Sequence, residues 1–286
     1  MVPIKGVLPQ SKEILETLLT QDYPNYHVTF ILENQLDPAV DLVREFCSTY
    51  GHVSIFFSGT ATGCGQKNFG LSKAISQLGS DVEILAFCDS SNAANDSWLA
   101  RITEPVRSRA FEVCTTFRSF SPGKVNIAGI CQAMYATTVF SLMTVTPKPW
   151  GGATVIRKRT FDSLNVAELW LRTVVDDLVL GNILNRANVK ICVSPANYLV
   201  SPVEKQTLKG FSAYLDRQIL FPKFTNPAIW FFTVTWDICL AASLALSMAG
   251  IVLYLLSEVS MTYALTGAIY WIGIFLIAIR LRHINQ

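Results

Sequence analysis

The chain has 286 residues, 51% hydrophobic and 15% charged, with a formal net charge of +2. That is richer in apolar side chains than an ordinary water-soluble domain, and no run of Lys and Arg interleaved with aromatics is present, which excludes nucleic acid as a partner. The 7 cysteines and 3 histidines are scattered; the cysteines form no Cys-x-x-Cys pair and read as reduced, buried thiols in a cytosolic domain rather than as disulfides or a metal site.

No signal peptide is expected at Met1–Pro9, which lacks a basic start and a long apolar core. Val2-Pro3-Ile4 reads as the tail of a strand expected to begin earlier than this chain does. Apolar residues at helical spacing then predict a helix over Ser11–Thr20, closed by the Pro24-Asn25 turn. The alternation continues with a strand at Tyr26–Leu32, a helix at Pro38–Tyr50, a strand at Val53–Phe57 and a helix at Asn68–Leu78. Next come a strand at Val82–Phe87, a helix at Ser97–Val106 and a strand at Phe111–Phe117. A long helical stretch follows Asn126 and leads to Gly151-Gly152. A short strand at Ala153–Ile156, a helix around Asp177–Leu184 and a strand at Val189–Val193 complete the pattern.

Strands alternating with helices predict an α/β fold, a mostly parallel sheet covered on both faces that binds ligands at the carboxyl ends of its strands. Those ends are Glu33-Asn34-Gln35, Ser58-Gly59-Thr60 and Cys88-Asp89-Ser90.

After residue 203 the solvent changes. Leu208, Phe211, Leu215 and Ile219 share one helical face, with Lys209, Asp216 and Arg217 opposite, the pattern of an interfacial helix or of a packed surface helix. Ala228–Leu256 is apolar except for Asp237, and Met261–Ile279 carries no charge, so each reaches the roughly 20 residues needed to cross hydrocarbon. The expected division is a catalytic domain over 1–203, an interfacial segment over 204–226 and a membrane region over 227–286, with spans near 228–256 and 261–280. Lys223, Arg280 and Arg282 flank the spans while Ser257–Ser260 has no Lys or Arg, which predicts an integral membrane protein with catalytic domain and C-terminus in the cytosol.

Three places carry chemistry. Gly59–Lys67 is glycine-rich, but Gln66 stands where a phosphate loop needs its lysine, and no Gly-x-Gly-x-x-Gly is present. Lys67, at a helix start, either meets a diphosphate or is solvated. Asp89 ends a very apolar strand, where it either faces a cleft with a cation partner, such as a divalent metal, or caps the following turn. Asp176-Asp177 opens a helix, either as capping residues or with one carboxylate as a general base.

In chain order, Pro3-Ile4-Lys5-Gly6, Gln21-Asp22-Tyr23-Pro24, Asp37-Pro38-Ala39, Gln66-Lys67-Asn68, Phe87-Cys88-Asp89-Ser90, Asp176-Asp177 and Arg217-Gln218 form a series. It resembles the ceramide glucosyltransferase family and its bacterial relatives among the inverting GT-A glycosyltransferases. The resemblance implies a GT-A domain followed by transmembrane helices, and transfer of a sugar, glucose or a related hexose, from a UDP-sugar to the hydroxyl of ceramide or another lipid. By the same resemblance Asn34, beside Glu33, takes the place of the family's first aspartate at the nucleotide base, and Lys67 matches a lysine near the nucleotide. Asp89 matches the aspartate that holds metal (Mg²⁺ or Mn²⁺) and diphosphate, with Ser91 where a second carboxylate of an Asp-x-Asp motif would stand. Asp177 matches the catalytic base and Asp176 the acidic residue before it. Of the closing Gln/Arg-x-x-Arg-Trp motif only Arg217 is kept, Gln218 replacing the tryptophan on the acceptor or diphosphate side. The departures at Asn34 and Gln218 also fit a catalytically inactive binding or scaffold protein, whereas a processive polysaccharide synthase would need more spans and the intact closing motif.

Overall fold

A computed structural model of the protein describes residues 1–122, 126–203, 206–256, 259–269 and 271–272. The first half is built of β1 (Val2–Pro3), α1 (Ser11–Leu19), β2 (Val28–Leu32), α2 (Val40–Thr49), β3 (Val53–Phe57), α3 (Gln66–Ile75) and β4 (Ile84–Cys88). The parallel order is β1-β2-β3. β4 lies on the far side of β1, where the Cys88 N–H donates to the Met1 carbonyl at 3.2 Å. Buried residues at nearly every position of β2, with Phe30 and Leu32 at 0% and 1% exposure, show a strand covered on both faces, which is why its sequence is a continuous apolar run rather than an alternation.

α4 (Trp98–Arg107) leads to β5 (Val113–Thr115) and β6 (Arg118–Pro122), and α5 (Ile127–Val145) to β7 (Ala153–Arg157). Then α6 (Lys158–Ser163), α7 (Val166–Trp170) and α8 (Asp176–Arg186) precede β8 (Ile191–Val193) and β9 (Leu199–Val203). The second sheet has the order β4-β7-β5-β8, and β7 runs antiparallel to both of its neighbours inside an otherwise parallel arrangement.

The chain departs from the expected strand at Phe111–Phe117. The Thr116 N–H turns to the Ala153 carbonyl, and the strand breaks into β5 and β6, the second of which pairs with β9. The short helices α6 and α7 and the strand β9 are absent from the sequence-based expectation; helices of five or six residues complete fewer than two turns, too few periods to register.

α9 (Leu208–Thr225) and α10 (Pro227–Leu255) follow. α10 has 29 residues, about 43 Å at the usual helical rise, although within it the apolar run among described side chains is the shorter Ala241–Leu255. Among the described residues the helix long and apolar enough to cross a membrane by length and composition is α5, with 28% of it buried. That differs from the expected pair of spans. The Asp237 side chain, much of the second expected span and Arg280 and Arg282 lie outside the described residues.

One side of the sheet is closed by an aromatic cluster of Phe87, Phe161 and Trp170, with ring centroids 5.3 to 6.1 Å apart. Trp170 also donates its indole N–H to the Asp176 carbonyl at 3.1 Å, so the core fixes where α8 begins. Trp170 is 1% exposed, and Trp170→Ala is expected to destabilise the fold by about 3–5 kcal/mol in equilibrium unfolding. The same measurement on Leu36→Ala, at a position 91% exposed, should show no change.

Candidate functional site

The carboxyl ends of β2, β3 and β4 open onto a cleft of ≈ 350 Å³ whose walls include Ile4, Glu33, Ser58, Gln66, Lys67 and Asp89. Its polar centre is the Lys67 ammonium. Nζ stands 2.8 Å from Asp89 Oδ1 and 2.8 Å from Asp176 Oδ2, and donates to the Gly151 carbonyl at 3.1 Å. Three elements thus meet on one nitrogen: the end of β4, the start of α8 and the loop before β7. Burial opposes the lysine charge, but the Asp89 and Asp176 carboxylates overcome it and hold the amine above its ordinary pKa. Burial likewise pushes Asp89 up, while Lys67 and, from further away, Arg118 and Arg217 pull it below its ordinary value.

Asp177 is held differently. Its Oδ2 accepts from the Gly151 N–H at 3.1 Å and its Oδ1 from the Leu178 N–H at 2.7 Å. Gly151 therefore touches the system from both ends, its carbonyl on Lys67 and its N–H on Asp177. Burial first, and the neighbouring Asp176 carboxylate second, raise Asp177 to about 6. That places a carboxyl which titrates near neutrality next to one that is ion-paired, the separation of roles on which acid–base chemistry relies. The residue before α8, Val175, has no side chain able to cap it, and within the first turn the Asp177 carboxylate accepts from the Leu178 N–H.

Two glycines permit this closeness. A Cβ on Gly65 would lie 2.6 Å from the Val174 carbonyl oxygen, and one on Gly151 would run into the Asp176 carboxylate. The start of α3 and the loop before β7 can approach α8 only where no side chain stands between.

Other anticipated residues spread outward. Glu33 lines the cleft, accepting from Thr60 Oγ1 at 2.9 Å and lying 3.8 Å from Lys5 Nζ. Asn34 is exposed, and its Oδ1 closes a turn by accepting from the Leu36 N–H. Ser90 lines the cleft, whereas Ser91 is half-buried one residue further on. Arg217 lies exposed on α9, its guanidinium 6.0 Å from the Tyr214 ring, with Gln218 half-buried beside it.

Sequence reasoning missed two contributors. Gly151 was visible only as the Gly-Gly before a strand. Arg118, stacked 4.6 Å from the Phe120 ring and 5.3 Å from Trp150, adds a positive charge that helps to lower Asp89, and nothing in its local sequence marked it.

The described residues contain no group of three His, Cys, Asp or Glu side chains able to hold a metal alone. Hard divalent cations such as Mg²⁺ are commonly bound by one or two carboxylates together with substrate phosphates. Asp89, with one oxygen engaged by Lys67 and its face on the cleft, fits that arrangement, and its all-oxygen chemistry suits Mg²⁺ or Mn²⁺.

The arrangement is an α/β fold of the GT-A glycosyltransferase type, as its likeness to solved structures shows. The fold is similar to that of the mannosyltransferase PcManGT from Pyrobaculum calidifontis, solved in complex with GDP-Man and Mn²⁺ (TM-score 0.51, 15% identity, covering 76% of this chain and 59% of that one). It is similar also to S. aureus TarS 1-349 (TM-score 0.50, 18% identity, covering 70% and 59%). The chain spans 59% of the length of each of these two structures. Residues 1–284 match the sequence profile of glycosyl transferase family 21, and the chain belongs to that family.

The raised Asp177 value has a consequence for stability. Its folded pKa of about 6 stands above the ordinary 3.8, so the native state keeps a proton the unfolded chain has released. The stabilisation is complete below the unfolded value and is lost as pH rises through the folded one. Asp177→Asn, which cannot ionise, should therefore match the wild type in melting temperature near pH 4 and exceed it near pH 8. The gap should open across that interval in thermal unfolding series.

Proposed function

We propose that this family 21 chain transfers a hexose from a nucleotide-sugar donor, UDP-linked, with inversion onto the hydroxyl of a membrane lipid such as ceramide. The observation that carries this reading is the single constellation of Asp89, Lys67, Asp176, Gly151 and Asp177, in which a diphosphate-sized cleft adjoins a carboxyl titrating at about 6. In the reaction Asp177 accepts the proton of the acceptor hydroxyl while that oxygen bonds to the anomeric carbon and the bond to the diphosphate breaks. Lys67, with Arg217 on the acceptor or diphosphate side, meets the charge that develops on the departing diphosphate. A divalent cation held at Asp89 adds positive charge there when bound. Glu33 faces the nucleotide base, and Asn34 and Ser91 contribute at the rim of the donor site.

Asp176 keeps Lys67 in place and, by its charge, keeps Asp177 basic. α9 and α10 belong to the same proposal as an interfacial helix and a membrane anchor, with residues 227–286 as the membrane region and the catalytic residues and C-terminus on the cytosolic side. What supports the lipid acceptor is the length of α10, together with Phe231 and Phe232, each 68% exposed, which water would not favour on a soluble domain.

Asp177→Asn should lower turnover by about 10²–10⁴-fold with donor affinity nearly intact, since the amide keeps the shape and loses the basicity. Asp89→Ala should instead lose donor affinity and its response to Mn²⁺. Transfer of radiolabelled sugar to extracted lipid and calorimetry with UDP measure the two effects. A fully active Asp177→Asn enzyme would remove the base assignment, and unchanged UDP and Mn²⁺ binding in Asp89→Ala would remove the donor site.

A further inference from the structure

Among the described residues, α5 keeps apolar side chains exposed on its outer face. None of its 19 residues is charged. Its inner face is taken: Ala136 and Met143 pack with Phe117 and Phe120. On the other face Ile127, Ile130, Leu142 and Val145 are 74%, 42%, 58% and 78% exposed, and helical spacing puts all four on one stripe about 28 Å long. A helix facing water normally carries charge on its outer face, and a core helix is buried all round. With 28% of it buried, α5 is neither.

α9 lies against α5. The Tyr135 and Tyr214 rings meet edge to face at 5.9 Å and Gln206 Nε2 donates to Gln132 Oε1 at 2.6 Å, which docks α9 on α5. α9 exposes Leu208 at 69% near its start and Phe224 at 75% near its end, on different faces, and after Asn226 the chain enters α10, 29 residues long. Where α9 meets α10, Lys223 Nζ lies 5.8 Å from the Phe224 ring and 5.7 Å from the Trp230 ring, a cation and an amphipathic aromatic of the kind that anchors at the headgroup level. An uncharged helix face on α5, with a long helix reached through α9 and such an anchor, suits a bilayer.

We propose that the outer face of α5 lies in the lipid interface, making it a second membrane-contacting surface of the catalytic domain beside α9 and α10. The proposal rests on the membrane reading above and extends it to a helix within the catalytic fold. Apolar faces of this type sink about 5–10 Å into the headgroup and acyl boundary. The placement also links lipid to chemistry. Past its C-terminus α5 runs into Trp150-Gly151, whose second residue binds both Lys67 and Asp177, so a lipid hydroxyl at that depth is brought toward the base.

The test places an environment-sensitive fluorescent amino acid by codon suppression at Ile130, at Val145 and, as reference, at Leu246 of α10, each in the full chain. The proteins are reconstituted in phosphatidylcholine–phosphatidylglycerol vesicles, with or without nitroxide-labelled acyl chains. The two α5 positions are exposed, and an unchanged melting transition confirms folding of each variant. Blue-shifted emission, strong loss of intensity with nitroxide lipid and no response to aqueous iodide at all three sites is the expected result. Quenching of Leu246 by lipid with iodide quenching at Ile130 and Val145 would overturn the α5 proposal and leave the anchor standing. Lipid quenching at Leu246 with Ile130 and Val145 shielded from both quenchers would assign the face to a protein partner or a second copy, and would overturn the proposal equally. Absence of lipid quenching at Leu246 would overturn the membrane reading itself and this inference with it.

Discussion

The partly buried ammonium of Lys67 is the interaction on which the site depends. Taking a charge out of water is costly unless it is met by opposite charge and hydrogen bonds, and here the balance is struck by two carboxylates at 2.8 Å and one carbonyl at 3.1 Å. Those oxygens come from chain positions far apart: Asp89, Gly151 and Asp176. The lysine can be satisfied only when β4, the loop before β7 and the start of α8 are all in register.

The same ion triad sets the chemistry next door. Asp176 gives one carboxylate oxygen to Lys67, yet its charge is near enough to help hold Asp177 up at about 6. Lys67 acts against that rise, as do the Gly151 and Leu178 N–H groups. Trp170 transmits the rigidity of the aromatic core to this point through its bond to the Asp176 carbonyl.

Around this polar centre the architecture is arranged by solvent. The first sheet and its helices bury their apolar faces against each other in the usual manner of an α/β layer, whereas α5, α9 and α10 keep apolar faces outward. Arg118, stacked on Phe120 and Trp150, stands at this boundary between the charged cleft and the aromatic packing beneath α5.

Much of this was legible in the chain itself. Period-3.6 and continuous apolar runs located α1 to α4 and β2 to β4 within a few residues, because each buries a face whose pattern is written locally. Asp89, Lys67 and the Asp176-Asp177 pair were legible as carboxylates and a cation at element ends, where a sheet of this class presents its ligands. The division of Phe111–Phe117 into β5 and β6 was not, since it follows from Thr116 turning to Ala153, a residue 37 positions away by their numbers. Nor was Gly151, whose role comes only from its neighbours. Sequence by itself determined which residue types stand at the ends of strands and helices, because propensity and burial patterning act over a few residues. Tertiary structure alone decided that one lysine would bind Asp89 and Asp176 together and that Asp177 would stay apart on Gly151, because distances between charges are set by packing of segments remote in the chain.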